Sequence, residues 1–148
     1  MPVEWYFMVW KKYAQFSGRA RRKEYWYFTL FNMLISLGMM VPFGILLFAL
    51  AYYKGPVALA FLLVIPFQLY CLASFLPSLA VTVRRLHDTG RSGWWYFIAF
   101  VPFVGPIVLL IFTATDSEPG PNIYGPNPKD ILGQGYSLAP FTSLPDGQ

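Results

Sequence analysis

The sequence predicts an all-α membrane protein with three transmembrane helices, preceded by an interfacial amphipathic helix and followed by an extended tail rich in Pro and Gly. Three stretches contain no Asp, Glu, Lys, Arg or His, and they are 29, 29 and 22 residues long. Because a helix rises about 1.5 Å per residue, roughly 20 apolar residues cross a hydrocarbon core of about 30 Å. We therefore place the spans at about 25–50, 57–83 and 94–115.

The composition argues against a soluble domain. Of 148 residues, 56% are apolar and only 12% are charged, which leaves too little polar surface to solvate a globule. The net charge of +4 does not indicate a nucleic-acid binder, because Lys and Arg cluster at the ends of the spans. Membrane lipids are the expected partners. Cys71 is the single cysteine, so no disulfide framework, paired-thiol redox motif or zinc-ligand spacing is present. No metal or cofactor is expected.

The chain divides into three predicted parts. Residues 1–18 form an N-terminal amphipathic interfacial helix and its connection, and residues 19–115 form the transmembrane domain. Residues 116–148 contain six Pro and five Gly and few aliphatic side chains. Such a segment cannot bury enough apolar surface to fold alone, so we predict a mostly disordered tail.

The amphipathic helix is predicted over residues 4–16. At 100° per residue, its Trp, Tyr, Phe and Val side chains fill one broad arc, and Glu4, Lys11 and Gln15 share the opposite side. Aromatic side chains beside Lys suit a helix in the headgroup layer. The same arc also suits packing against the spans, and the two interpretations are compatible.

The third span contains Pro102 and Pro106 with Gly105 between them. Each proline removes a backbone donor and clashes with the preceding turn, so a kink is expected. We favour a kinked single crossing. The alternative is a re-entrant hairpin of two short arms, which would return the tail to the cytoplasm.

The distribution of basic residues predicts the orientation of a multi-pass protein. With the N-terminus in the cytoplasm, nine Lys and Arg lie inside, and Lys54 and Lys129 lie outside. Because basic residues near the ends of spans are retained on the cytoplasmic side, this asymmetry favours a cytoplasmic N-terminus.

The connector between the second and third spans combines basic residues with turn residues. We hypothesise that Arg84, Arg85 and Arg91 donate to an anionic lipid headgroup or phosphate. The backbone near Ser92 and Gly93, at a helix N-terminus, would complete this cradle. The favoured alternative is a basic cytoplasmic loop without a discrete site.

His87, the only histidine, lies next to Asp88 in the same connector. Adjacent side chains point apart, and no nucleophile motif or second carboxylate accompanies them, so we predict no catalytic residue and no enzyme. A structural role is favoured over a pH-sensing role. Glu24, among basic residues, is expected to pair with this connector.

Polar side chains form a stripe on each of the first two spans. Thr29, Asn32 and Ser36 lie three and four residues apart. The second stripe has the same spacing and consists of Gln68, Cys71, Ser74, Ser78 and Thr82. Small and hydrogen-bonding side chains on one face allow close helix packing. We predict interhelical packing, with a polar permeation path as the alternative.

Three motifs resemble a family of small bacterial inner-membrane proteins of unknown function, typified by YhaH. They lie at residues 13–26, 84–95 and 122–128, and the resemblance covers about residues 5–130. Residues 131–148 fall outside it. The resemblance implies the bacterial inner membrane as the location and implies no activity. The tail motif also suggests some order after residue 116.

Two functions remain open from the sequence. The favoured one is a non-enzymatic module that binds lipid headgroups or membrane partners through a basic cytoplasmic face. The alternative is a subunit of a small oligomeric transporter or channel, because three short spans enclose little space alone. A homo-oligomer or another membrane protein is therefore a possible partner.

Overall fold

The computed structural model of the chain describes residues 1–133. Its α-helices are α1 (Pro2–Lys11), α2 (Arg22–Tyr52), α3 (Phe61–Asp88), α4 (Val104–Ala114) and α5 (Pro128–Gly133), and its 3₁₀ helices are η1 (Val57–Ala60) and η2 (Gly93–Phe100). No strand occurs in the described part, where Asn122 and Gly125 form an isolated bridge. The predicted all-α class is confirmed.

The two long helices, α2 and α3, correspond to the first two predicted spans. The segments Arg22–Tyr52 and Val64–Asp88 are 31 and 25 residues long and are apolar enough to cross a membrane. Large apolar side chains such as Leu37 and Leu72 project outward from them and are exposed. Exposed apolar side chains over two paired helices are expected of a surface that faces lipid.

The third predicted span is not a single helix, so the prediction of one kinked crossing is wrong. The short helices η2 and α4 are joined by a turn in which Phe103 has φ 64°. The 11 residues of α4 span only about 16 Å. A Cβ added at Gly105 would lie 1.8 Å from the backbone oxygen of Ile98, so glycine permits the contact between the two arms.

Both arms of this hairpin, η2 and α4, have their outer ends at the C-terminal end of α3. The peptide oxygen of Thr113, near the end of α4, accepts a hydrogen bond of 3.0 Å from Arg85 Nε. The backbone N–H of Glu118 then donates to the oxygen of Asp88 at 2.8 Å. The chain therefore returns to the end of α3 at which η2 begins, as in the re-entrant alternative.

The tail also differs from the predicted disorder over residues 116–133. The Arg19 guanidinium donates to the backbone oxygens of Glu118, at 2.6 Å, and Gly120, at 2.7 Å. These long-range contacts supply the hydrogen-bond partners that the composition of the tail does not reveal. The remainder of the predicted disordered segment, residues 134–148, lies outside the described residues.

Helix α1 is shorter than the predicted helix over residues 4–16 and packs against both long helices. Val9 is fully buried in a cluster with Ala20, Phe28 and Val81, which come from the α1–α2 connector, α2 and α3. The aromatic arc thus packs partly against the spans. Its placement in the headgroup layer remains a prediction.

Candidate functional site

Three segments meet at one end of the helix pair, which we call the basic end. They are the α1–α2 connector, the C-terminal turn of α3, and residues 115–127 of the tail. The backbone N–H of Ala20 donates to the oxygen of Arg84 at 3.0 Å, and the tail bonds to the last residue of α3 as described above. The basic end therefore brings together residues up to 106 positions apart in the sequence, the separation of Arg19 and Gly125.

A buried ion cluster around Asp88 holds the basic end together. Arg19 Nε lies 2.9 Å from Asp88 Oδ1, and Arg85 Nη1 donates to Oδ2 of the same carboxylate. The hydroxyl of Ser117 donates to Oδ2 at 2.6 Å. The side chains of Asp88 and Arg85 are 0% exposed and that of Arg19 is 1% exposed. Buried charges must be paired and hydrogen-bonded, and this carboxylate serves two guanidinium groups.

Backbone oxygens accept hydrogen bonds from the remaining N–H groups of Arg19 and Arg85. Arg19 donates to the oxygens of Asp88 and three tail residues, and Arg85 donates to those of Ala20, Thr113 and Thr115. Because each guanidinium binds segments that are distant in sequence, the cluster acts as a junction. This arrangement agrees with a structural role for Asp88.

A second buried pair lies beside the first. Arg84 Nη1 is 2.5 Å from Glu24 Oε1, and the two side chains are 1% and 4% exposed. The other N–H groups of Arg84, at Nε and Nη2, have no acceptor among residues 1–133. Glu24 is thus paired with the connector as the sequence suggested.

The five residues predicted to hold an anion do not form one cradle. Arg84 and Arg85 are buried in the ion pairs, so they are not surface donors. The Arg91 guanidinium lies 4.1 Å from the ring centre of Phe112 instead. Ser92 caps η2 by accepting from the backbone N–H of Trp94 at 3.4 Å. Gly93 provides close packing, since a Cβ there would lie 2.8 Å from a methyl of Val83.

His87 and Asp88 point to different surroundings. The His87 ring stacks on Tyr124 with 3.8 Å between ring centres, and its Nδ1 lies 3.3 Å from the oxygen of Gly18. Asp88 faces the arginines, so no His–Asp pair forms. In the described chain, no three His, Cys, Asp or Glu side chains cluster in a way that could hold a metal ion.

A pocket at the basic end, which we call the basic pocket, has a volume of about 350 Å³. Lys12, Arg21 and Glu24 line it, together with Trp5, Tyr124 and further residues of α1, the connector and the tail. Within residues 1–133, neither Lys12 nor Arg21 pairs with a carboxylate. Arg21 Nε is buried without an acceptor. The sequence offered little to distinguish these two cations from their basic neighbours.

The polar stripe of the first span contributes one contact between the long helices. The hydroxyl of Tyr70 donates to Asn32 Oδ1 at 2.6 Å and lies 3.5 Å from the hydroxyl of Tyr6. Asn32 therefore packs between helices. Ser36 is half-buried on the same helix.

The stripe of the second span bonds mainly to its own helix. The Ser74 hydroxyl donates to the oxygen of Cys71, and the Ser78 hydroxyl donates to the oxygen of Ser74. Ser74 is buried and Ser78 is half-buried, whereas Gln68 is exposed and lies away from the helix contact. Gln68 is therefore not a packing residue in this structure.

Several known proteins are similar in sequence to this chain over most of its length. The family model described as "Protein of unknown function (DUF805)" matches residues 13–126. The chain belongs to this family. Inner membrane protein YhaI of Escherichia coli K12 is 47% identical over 127 residues, covering 86% of this chain and 97% of the relative. Inner membrane protein YhaH of the same strain is 39% identical over 127 residues, covering 86% and 98%.

A more distant relative and the structural comparison complete these findings. The uncharacterized protein YiiR of Escherichia coli K12 is 37% identical over 90 residues, covering 60% of this chain and 51% of the relative. No solved structure matches the chain. The predicted family and the membrane class are confirmed. The names of YhaI and YhaH state a location in the inner membrane, and none of the three names states an activity.

Proposed function

We propose that this chain is a non-enzymatic inner-membrane module whose basic end faces the cytoplasm and binds the phosphate of anionic lipid headgroups. The observation that carries the proposal is the basic pocket, which Lys12 and Arg21 line without an ion-pair partner among the described residues. The Glu24 carboxylate also lines this pocket, but it is paired with Arg84. Phosphate oxygens accept charge-assisted hydrogen bonds from Lys and Arg side chains. The proposed anion site is therefore at Lys12 and Arg21, and not at Arg84 and Arg85, which the sequence suggested.

The distribution of charge supports the cytoplasmic orientation. Ten of the eleven Lys and Arg residues lie in segments that form or adjoin the basic end, and Lys54, just beyond α2, is the exception. Lys129 joins the majority because the hairpin returns the tail, where its ammonium lies 2.5 Å from Asp116. Basic segments beside a span are retained in the cytoplasm, whose leaflet also carries the anionic lipids.

The alternative function, a subunit of an oligomeric transporter or channel, would need polar groups free to line a path. Asn32, Ser74 and Ser78 are already hydrogen-bonded within the helix pair. Pumps and ion-coupled transporters also use ionisable residues within their spans. The charged residues of α3 lie in its last turns at the basic end, so we favour the lipid-binding module.

Lipid retention during native mass spectrometry tests the proposal. The double variant Lys12→Gln/Arg21→Gln removes both pocket cations, and Lys11→Gln/Lys23→Gln removes the same charge from exposed positions outside the pocket. We expect the pocket variant to bind phosphatidylglycerol about tenfold more weakly, because charge-assisted bonds are lost, and the control to change by less than about twofold.

Two outcomes would contradict the proposal. Equal losses in both double variants would indicate general attraction to a basic surface. Equal binding of phosphatidylglycerol and zwitterionic phosphatidylcholine by the unaltered protein would show that the net negative charge of the headgroup is not recognised.

A further inference from the structure

An apolar groove of about 620 Å³ runs along α3 beside η2. Phe75, Leu79, Val83 and His87 lie four residues apart on α3 and line the groove together with the aromatic side chains of η2. Residues at this spacing share one face of a helix. The groove is thus a continuous feature of α3, which begins in the apolar part of the helix and ends at the basic end.

The length of the groove matches the depth of one membrane leaflet. Twelve residues separate Phe75 from His87, which at about 1.5 Å per residue corresponds to about 18 Å. Half of a hydrocarbon core of about 30 Å is about 15 Å. A lipid chain that descends from the headgroup layer would therefore run along most of this face.

The groove and the basic pocket are adjacent. Tyr124 lines both of them, and its ring stacks on His87 at the polar end of the groove. In the α1–α2 connector, Phe16 lines the groove and Gly18, two residues later, lines the basic pocket. A ligand with a phosphate and a hydrocarbon chain can thus occupy both spaces by passing Tyr124.

We infer that the groove holds one acyl chain of the same lipid whose phosphate occupies the basic pocket. This inference rests on the proposed function and adds the ligand class, which is a whole anionic phospholipid rather than a free phosphate or a soluble headgroup. The apolar lining supplies affinity for the chain, and the two cations supply selectivity for the charge. The groove's membrane-depth lining favours a lipid chain over a protein segment as its occupant.

The experiment compares chain length and headgroup separately in detergent-solubilised protein. Native mass spectrometry measures binding of long-chain phosphatidylglycerol, dihexanoyl phosphatidylglycerol and glycerol 3-phosphate. Leu79→Trp fills the groove, and Leu69→Trp places the same side chain on an exposed, lipid-facing position of α3 outside it. We expect the unaltered protein and Leu69→Trp to prefer the long-chain lipid by about tenfold or more, since each buried methylene adds affinity.

Leu79→Trp should lose that preference while its binding of the two short ligands stays unchanged. If Leu79→Trp keeps the preference, the groove inference is overturned and the basic pocket remains. If Lys12→Gln/Arg21→Gln binds every ligand as tightly as the unaltered protein, the proposed function fails as well.

Photo-crosslinking tests whether an acyl chain occupies the groove in the unaltered protein, so the result does not depend on the folding of a variant. Phosphatidylglycerol with a diazirine at the middle of one chain is added to the unaltered protein, and crosslinked peptides are identified. The inference predicts labels concentrated at groove residues such as Phe75 and Phe97. Labels spread evenly over exposed side chains such as Leu34 and Leu37 of α2 would contradict it.

Discussion

Removing the charge of Asp88 should destabilise the protein strongly. Its carboxylate binds Arg19, Arg85 and Ser117 and is fully buried, so Asp88→Asn leaves two buried guanidinium groups without a counter-charge. An asparagine keeps one acceptor oxygen, but its amide nitrogen would face a donor. Breaking one buried ion pair by removing a partner costs about 3–5 kcal/mol. Because both pairs share this carboxylate, we expect about 4–5 kcal/mol, a large part of a typical total stability of about 5–15 kcal/mol.

Equilibrium unfolding in mixed micelles, followed by tryptophan fluorescence, measures this loss. Asp116→Asn is the matched control, because it removes the same charge from an exposed pair with Lys129. Exposed pairs contribute little to stability, so the control should unfold at the midpoint of the unaltered protein. An Asp88→Asn variant with an unchanged midpoint would refute the description of Asp88 as the junction of the basic end.

Two further variants test the helix contacts by the same unfolding measurement. Gly105→Ala places a methyl against a backbone oxygen and should cost about 1–3 kcal/mol. Gly38→Ala, in the interior of α2 with open space around it, should leave stability unchanged or raise it by up to about 1 kcal/mol. Equal effects would show that the two arms of the hairpin do not touch there. Tyr70→Phe removes the hydrogen bond to Asn32 and should cost about 0.6 kcal/mol, while Tyr52→Phe, at an exposed position, should be neutral. A neutral Tyr70→Phe would show that this bond contributes nothing to the helix contact.

The sequence was sufficient to predict the two long helices, because each is marked by a continuous run of uncharged residues. Runs without charge specify both the presence and the length of α2 and α3, and membrane-spanning helices satisfy their own backbone groups. The pairing of Glu24 with the connector between the second and third predicted spans also followed from charge alone. The third span was harder, because a proline pair permits either a kink or a break. The outcome depends on distant contacts, such as the hydrogen bonds from Arg85 to the oxygens of Thr113 and Thr115 at the end of α4.

The candidate site was only partly predictable for the same reason. Arg84 and Arg85 have the sequence signature of a surface loop, yet their burial depends on Glu24 and Asp88 and on the returning tail. A carboxylate 60 residues away cannot be assigned to one arginine from spacing. The two cations that remain accessible, Lys12 and Arg21, stand among basic residues with similar local sequence.

The return of the tail to the cytoplasmic face is the claim on which the basic pocket depends, and cysteine accessibility tests it directly. With Cys71 replaced by Ala, Ile123→Cys marks the tail and Tyr53→Cys marks the far end of α2, and both positions are highly exposed. We expect a membrane-impermeant maleimide to label Tyr53→Cys in intact spheroplasts and to label Ile123→Cys only after lysis. Labelling of both Ile123→Cys and Tyr53→Cys in intact spheroplasts would place the tail on the same side of the membrane as the far end of α2 and contradict the hairpin.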